Sequence, residues 1–145
     1  MERKCGDLTM SPLLLDTNAA IWLSRDELKA SASEKLDETA RTGVATYLSP
    51  ITAWEVGLLV SHNRLSLGAT PQRWFARILA MPNVHLAELS PDILIASSFL
   101  PGKPPRDPAD RILLATARDL GATLITRDRA LLKYGEEGQV STIAC

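Results

Sequence analysis

Short apolar runs that stop abruptly at polar residues recur along the chain. The first is Leu13-Leu14-Leu15, which ends at Asp16-Thr17-Asn18 and has the pattern of a buried strand followed by a polar turn. Four further stretches are short and rich in β-branched or apolar residues, at positions 44–48, 84–89, 123–126 and 140–143. The pattern therefore predicts five strands separated by longer segments.

Those longer segments carry the start signals of helices. At four places a side chain that can cap a helix precedes a proline at the first helical position: Ser49-Pro50, Thr70-Pro71, Ser90-Pro91 and Asp107-Pro108. Gly121, shortly after Arg118, is a matching helix end. Strands that alternate with helices predict a three-layer α/β/α sandwich around a mainly parallel sheet of about five strands. In such sheets ligands bind beyond the carboxyl ends of the strands.

Composition agrees with one globular domain. The 145 residues are 46% hydrophobic and 23% charged, and we expect a single domain over residues 13–145 after a poorly ordered N-terminal extension, residues 1–12. Cys5 and Cys145 are too few and too far apart for a disulfide framework or a thiolate metal site. Because no apolar run has membrane-spanning length or the form of a signal peptide, we expect a cytoplasmic protein that does not enter the membrane.

The charge balance makes any contact with nucleic acid a local matter. A formal net charge of −1 supplies no overall attraction to phosphates. Between Pro101 and Gly135, however, seven cations stand against four carboxylates. This stretch is consistent either with a phosphate-binding patch or with a solvated surface of mixed charge.

Two aspartates follow predicted strands directly. Asp16 comes after the three leucines and Asp128 follows the strand that ends at Thr126, so both belong at the carboxyl edge of the sheet. Thr17, Asn18 and Thr126 stand beside them and are candidates for orienting these carboxylates or for binding the water ligands of a metal. The alternative for Asp16 is a turn aspartate that only caps the next helix.

Glu55 occupies an unusual place in a predicted helix. Ile51, Trp54, Leu58 and Leu59 recur at spacings of three and four and predict an apolar stripe, and Glu55 falls inside it. We therefore expect its carboxylate to point inward, where it must be protonated, paired or bound to a metal because an unpaired buried charge is costly. A buried arginine or lysine partner and a metal ion both remain open.

The helix that begins at Asp107-Pro108 carries two acids in its first turn. Asp107 is the expected cap and Asp110 its third helical residue, so the two carboxylates lie close together. The helix dipole alone favours acids at this end, which leaves a purely structural role open for either residue. Asp110 is expected to point back toward the helix start and the sheet edge.

Acids from several segments that converge on one sheet edge need a counter-charge. Two carboxylates about 4 Å apart repel by roughly 4 kcal/mol at an effective dielectric constant near 20. An oxygen-only donor set without histidine or thiolate favours a hard ion, Mg²⁺ or Mn²⁺. His62 and His85 lie outside the acidic motifs and are interpreted as surface or packing residues.

Several short motifs together resemble those of PIN-domain ribonucleases, most nearly the VapC toxins. They are Leu14-Leu15-Asp16-Thr17-Asn18, Trp54-Glu55, Arg106-Asp107-Pro108-Ala109-Asp110-Arg111 and Thr126-Arg127-Asp128. The similarity extends from about Leu13 to Ile143 and includes Lys133-Tyr134-Gly135. Each motif alone is common, but their order and spacing are specific. Ala109 departs from the pattern, because family members often carry an aromatic residue there.

The resemblance implies cleavage of RNA with Mg²⁺ or Mn²⁺, control by an antitoxin protein and a homodimer. Asp16, Glu55, Asp110 and Asp128 match the acidic quartet of the family, and Asp107 matches a further acid of this branch. We expect Asp16 and Asp110 to bind a metal directly, with Glu55, Asp128 and Asp107 as further or water-mediated ligands. The candidates for binding RNA phosphates are Arg106, Arg111, Arg127 and Arg129.

Two other functions are compatible with parts of the pattern. One is a non-catalytic PIN-fold module that binds RNA or protein, although the complete set of acids argues against it. The other is a phosphoaspartyl enzyme or receiver domain with Asp16 as the acceptor. This second alternative lacks a suitable lysine after a strand, and Asn18 stands where a phosphohydrolase needs a second acid.

Overall fold

The structure, a computed structural model, describes residues 11–145. The predicted extension at residues 1–12, and Cys5 within it, therefore lies almost entirely outside the described residues. Within the described part the strands are β1 (Leu13–Leu15), β2 (Thr46–Leu48), β3 (Val84–Leu86), β4 (Thr123–Thr126) and β5 (Ser141–Ala144). The helices are α1 (Thr17–Ser24), α2 (Ala30–Thr42), α3 (Pro50–Ser61), α4 (Pro71–Leu79), α5 (Pro91–Ala96), α6 (Pro108–Leu120) and α7 (Arg129–Glu136).

The five strands form one parallel sheet in the order β3-β2-β1-β4-β5. After β1 the chain moves outward on one side of the sheet, to β2 and β3, and then crosses back to β4 and β5 on the other side. The direction of winding thus reverses between β1 and β4. Ligands of open α/β sheets bind at such a switch point, beyond the carboxyl ends of the two strands.

Two hydrophobic cores cover the two faces of the sheet. Leu13 and Leu15 of β1 point to the face covered by α1, α2, α3 and α4, and Leu14 points to the face covered by α6 and α7. All three leucines are fully buried, as expected of a central strand with helices on both sides. The predicted three-layer α/β/α sandwich is confirmed.

The four predicted helix starts are all present, and in each the predicted side chain caps the helix. Ser49, Thr70, Ser90 and Asp107 each accept a hydrogen bond from a backbone N–H of the following turn. Gly121 ends α6 with a φ of 62°, a left-handed conformation that glycine adopts without strain. These caps fix where α3 and α6, the two helices that bring acids to the sheet edge, begin.

The predicted apolar stripe of α3 was wrong in part. Trp54 and Leu58 are exposed, by 57% and 39%. The helix instead buries Thr52 and Val56, because these two side chains face α1 and the sheet. Val60, Leu65 and Leu67 pack against the core. None of the helices in residues 11–145 is long and apolar enough to span a membrane.

Candidate active site

The candidate site lies at the carboxyl edge of the sheet, where β1 and β4 end. Asp16 is the first residue after β1, and its backbone N–H donates a hydrogen bond to the carbonyl of Ile125 in β4 (3.1 Å). Asp128 follows β4 after one intervening residue. The two predicted strand-end aspartates are thus brought together by neighbouring parallel strands.

Asp16 is buried, with 4% of its surface exposed. Its Oδ1 accepts a hydrogen bond from the N–H of Ala19 (2.7 Å), which makes it the N-cap of α1, and its Oδ2 accepts one from the hydroxyl of Thr126. Burial raises the pKa of Asp16 from 3.8 to about 6, with smaller contributions from the charges of Asp128 and Glu55 and opposition from the two hydrogen bonds. Asp16 therefore does cap α1, and its burial at the same time disfavours the ionised form of its carboxylate.

Glu55 lies on α3 and reaches toward the end of β1. Its Oε1 accepts a hydrogen bond from the hydroxyl of Thr17 (2.5 Å), and Thr17 is in turn 3.1 Å from the hydroxyl of Thr52. Burial, followed by the charge of Asp107, raises the pKa of Glu55. No arginine or lysine within the described residues pairs with Glu55, so the ion-pair alternative is not what the structure contains.

Asp110 is half-buried in the first turn of α6, and within residues 11–145 its carboxylate accepts no hydrogen bond. Burial, followed by the charges of Asp107, Asp128, Glu55 and Asp16 in that order, raises its pKa from 3.8 to about 7. All five predicted acids therefore share one electrostatic field. Asp110 differs from Asp16 and Glu55 because no hydrogen-bond donor within the described residues lowers its pKa.

Asp107 and Asp128 each cap a helix at the same edge. Asp107 Oδ2 accepts from the N–H of Asp110 (2.9 Å), and Asp128 Oδ1 accepts from the N–H groups of Ala130 (2.8 Å) and Leu131 (3.1 Å). In each case the second carboxylate oxygen accepts no hydrogen bond within the described chain. One oxygen of each residue can therefore take a further ligand while the other holds the helix.

The chemistry of this donor set suits a hard divalent cation. The five groups offer only carboxylate oxygens, and burial together with neighbouring acids raises the pKa of Asp16, Glu55 and Asp110. As the side chains stand, no three histidine, cysteine, aspartate or glutamate residues among 11–145 form a group that could hold a metal ion. Asp16 and Glu55 are turned toward the hydroxyls of Thr126 and Thr17. A metal would fit the donor chemistry but would require some of these side chains to turn.

The predicted arginines divide into two kinds. Arg111 donates from Nε to the carbonyl of Ser97 (3.0 Å) and from a terminal nitrogen to that of Pro105 (2.8 Å), so it supports the loop before α6. The Arg127 guanidinium lies 3.6 Å above the ring of Trp22 and donates to the carbonyl of Cys145. Their donors are largely committed to the protein. By contrast, Arg106 and Arg129 are exposed, and within residues 11–145 their guanidinium groups have no partner.

Some residues near the site were not predicted. Thr52 is fully buried and lies one turn before Glu55. The sequence signal that could have identified it is a threonine within an otherwise apolar helix. His62, interpreted as a surface or packing residue, lines a cleft together with Glu55 and Asp107. Asn18, a predicted supporting residue, is exposed, and its side chain makes no contact with the acids.

Comparisons with known proteins agree with this architecture. The sequence profile of the PIN domain matches residues 13–137. Ribonuclease VapC22 of Mycobacterium tuberculosis is 30% identical over 127 residues, which cover 86% of this chain and 93% of that protein.

Solved structures with the same fold include two toxin–antitoxin assemblies. VapBC2 from Rickettsia felis, bound to a DNA fragment from its promoter, contains a chain that superimposes with a TM-score of 0.65 at 15% identity, covering 92% of this chain and 98% of that one. DNA-bound VapBC from Salmonella typhimurium gives a TM-score of 0.63 at 18% identity, with 93% and 98% covered. At these identities the likeness concerns the fold. The profile match over most of the chain, together with the VapC22 relative, shows that this protein belongs to the PIN-domain family.

Proposed function

We propose that this protein is a divalent-metal-dependent endoribonuclease and the toxin of a toxin–antitoxin pair, acting in the cytoplasm. The observation that carries the proposal is the shared field of Asp16, Glu55, Asp107, Asp110 and Asp128 at the switch point of the sheet. Its likeness to a VapC ribonuclease adds support. A protein that only binds RNA gains nothing from a concentration of negative charge that repels phosphates.

In the proposed reaction the acids hold the cation and orient water. Mg²⁺ or Mn²⁺, when bound, supplies the activation of a water molecule and neutralises charge on the scissile phosphate. Asp16 and Asp110 would hold it directly, while Glu55, Asp128 and Asp107 would bind a second ion or the water ligands of the first. Hydrolysis by in-line attack leaves a 5′-phosphate and a 3′-hydroxyl.

Thr126 and Thr17 act as positioning residues in this scheme. Thr126 holds Asp16 through Oδ2, and Thr17 holds Glu55 through Oε1. Groups hydrogen-bonded to metal-binding side chains fix the orientation of those side chains. Arg106 and Arg129, whose guanidinium groups have no partner within residues 11–145, are the proposed contacts to flanking phosphates.

Protein partners form the second half of the proposal. An antitoxin is proposed on the strength of the VapBC assemblies that share the fold, and a second copy of the chain on the strength of the resemblance to the VapC toxins. Apolar side chains around α5 are consistent with a protein contact, since Ile95 and Phe99 are exposed by 60% and 80%. Exposed apolar groups of this size are characteristic of interaction surfaces.

The test is Asp110→Asn, with Asp119→Asn as the matched control on the same helix. Asp110→Asn should lower Mg²⁺-dependent RNA cleavage by more than the ~10- to 100-fold that loss of a group supporting a metal ligand costs. It should also raise thermal stability, because it removes a charge that four neighbours repel. Asp119 is exposed away from the acids, and its variant should cut like the wild type. Undiminished cleavage by Asp110→Asn would refute the proposal.

The phosphoaspartyl alternative has little support from the geometry. Both oxygens of Asp16 accept hydrogen bonds, and only 4% of the residue is exposed, so the carboxylate is poorly placed to attack a phosphodonor. Covalent labelling of Asp16 by a small phosphodonor would reinstate that alternative. A non-catalytic module would instead show RNA or protein binding that Asp110→Asn leaves intact, with no cleavage by the wild type.

A further inference from the structure

A cleft of about 320 Å³ lies between α3 and the start of α6, beside the acids. One wall is apolar and is formed by Trp54, Leu58 and Ala109. Glu55 and Asp107 line its acidic end. The cleft therefore opens directly onto the candidate active site, and its volume is at the lower end of what small ligands occupy.

Trp54 is the unusual member of this wall. It is exposed by 57%, whereas Trp74 is 3% exposed in the core and the ring of Trp22 is covered by the Arg127 guanidinium. The proposed acid next to it in sequence, Glu55, accepts a hydrogen bond from Thr17, and the Trp54 ring takes part in no ring contact within the described residues. The indole ring is thus exposed beside a site proposed to act on a phosphodiester. A flat exposed aromatic surface is what an unstacked nucleobase binds.

The charges around the cleft match a nucleotide chain. Arg64 and His62 also line the cleft, both are exposed, and within residues 11–145 the Arg64 guanidinium has no partner. A cation and an exposed aromatic ring in one cleft suit a nucleotide, because the cation attracts the phosphate and the ring stacks on the base. An apolar protein segment has no use for this combination of aromatic ring and cation.

We propose that Trp54 is the stacking platform of a subsite for one unpaired base of single-stranded RNA, next to the phosphate that is cut, with Arg64 holding a neighbouring phosphate. This proposal rests on the proposed ribonuclease function. Ala109 is part of it, because its small side chain leaves room between α3 and α6. A base inside a duplex is stacked and paired, so it cannot enter.

The first test measures binding without cleavage. In the Asp110→Asn background, tryptophan fluorescence is titrated with a short single-stranded oligoadenylate and with an oligomer of abasic ribose phosphate of the same length, each with Mg²⁺ present. Oligoadenylate should quench the fluorescence, and the abasic oligomer should not. The quenching should vanish in a Trp54→Phe version of the same protein, since Trp54 is the reporter. Equal responses to both oligomers, or quenching that persists without Trp54, would overturn the subsite.

The second test uses the cutting enzyme and an unstructured RNA. Trp54→Ala should raise KM by about 5- to 150-fold, the factor that corresponds to loss of one stacked base, with a much smaller change in kcat. Trp54→Phe should restore most of the affinity, and Ala109→Phe, which fills the cleft, should raise KM as Trp54→Ala does. Ser61→Ala, at the end of the same helix and outside the cleft, is the control and should change KM little.

The outcomes separate this proposal from the proposed function. If the wild type cuts RNA and Trp54→Ala leaves KM unchanged, the subsite is refuted while the nuclease stands. If the wild type cuts no RNA but oligoadenylate still quenches Trp54, the nuclease is refuted and the base-binding cleft stands. If Trp54→Ala weakens RNA binding and Trp54→Phe fails to restore it, an aromatic ring is not what the RNA needs at this position and stacking is refuted.

Discussion

The hydroxyl of Thr126 donates a hydrogen bond to Oδ2 of Asp16, a residue 110 positions earlier in the sequence. The same oxygen of Thr126 accepts the backbone N–H of Asp128 (3.0 Å). Thr126, which is fully buried at the end of β4, thus orients the side chain of Asp16 at the end of the neighbouring strand. It also holds the backbone that leads to Asp128.

Thr126→Val should separate this role from packing, because valine has nearly the same shape and no hydroxyl. We expect RNA cleavage to fall by about 10- to 100-fold, the usual cost of removing a group that orients a metal-binding residue. The pKa of Asp16 should rise further, since the lost hydrogen bond lowers it. Initial rates measured against pH check both effects. Thr126→Ser, which keeps the hydroxyl, should retain activity, and a fully active valine variant would contradict the role.

Thr52 should affect the candidate site indirectly, through its hydrogen bond to Thr17. Because Thr17 donates its single hydroxyl hydrogen to Glu55, Thr52 must be the donor in the contact between the two threonines. Thr52→Val should therefore lower the free energy of unfolding by about 1 kcal/mol, and it should lower cleavage less than Thr17→Val does. Urea titration and initial rates measure the two effects. Thr52→Ser should resemble the wild type, and greater inactivation by Thr52→Val than by Thr17→Val would contradict this order.

Without divalent ions, the stability of the fold should fall as the pH rises from about 4 to about 7. The pKa values of Asp16, about 6, and Asp110, about 7, exceed the value of 3.8 expected in the unfolded chain. The folded state therefore keeps protons that the unfolded state has already released, and folding is progressively penalised across this range. Raising the pKa of Asp16 from 3.8 to about 6 corresponds to a loss of about 3 kcal/mol.

Chemical denaturation at a series of pH values, with chelator present, measures this slope. Adding Mg²⁺ near pH 7 should recover stability, because an ion that binds only the folded protein offsets the repulsion. Asp110→Asn should flatten the slope and weaken the response to Mg²⁺. A free energy of unfolding that rises across this range in the presence of chelator would show that the acids do not repel one another as described.

Gly135 should not tolerate a side chain. A Cβ there would lie 2.6 Å from Oγ1 and 2.7 Å from Cγ2 of Thr142, so α7 and β5 would have to separate. We expect Gly135→Ala to destabilise the fold by about 1–3 kcal/mol. Gly57→Ala, on α3, is the control, because a Cβ there meets no atom within 4 Å and should stabilise the helix by roughly 0.5–1 kcal/mol. Thermal melting of both variants measures these changes. Equal changes in stability would contradict the close packing of Gly135 against Thr142.

Local signals predicted those parts of the fold that depend on neighbouring residues. The capped starts of α3, α4, α5 and α6 follow from a polar side chain before a proline, and β4 has the predicted bounds. Strand β3 is shorter than predicted and ends at Leu86, which is 53% exposed on an edge strand with one neighbour. Helix α2 gave little signal, because Ala32 and Thr39 are its buried residues and they form no apolar pattern.

The candidate site was predictable to the extent that topology determines it. Strands that end at one edge bring Asp16 and Asp128 together whatever the details of packing. The contact of Thr52 with Thr17 and the exposure of Trp54 depend on how α3 is rotated against the sheet. The position of Glu55 in the sequence predicted only that its side chain points inward. The rotation of a helix is set by its packing against other elements, and the spacing of apolar residues on that helix alone does not predict it.

Three of the five acids also cap helices, and this has a practical meaning for preparing an inert protein. Alanine at Asp16, Asp107 or Asp128 would remove a cap, at a cost of about 0.5–2 kcal/mol, so lost activity could be confused with damage to the fold. Asp110 caps nothing. Under the proposed function, an asparagine at that position is the substitution to use for trapping an intact RNA on the protein or for expressing the chain without harm to its host.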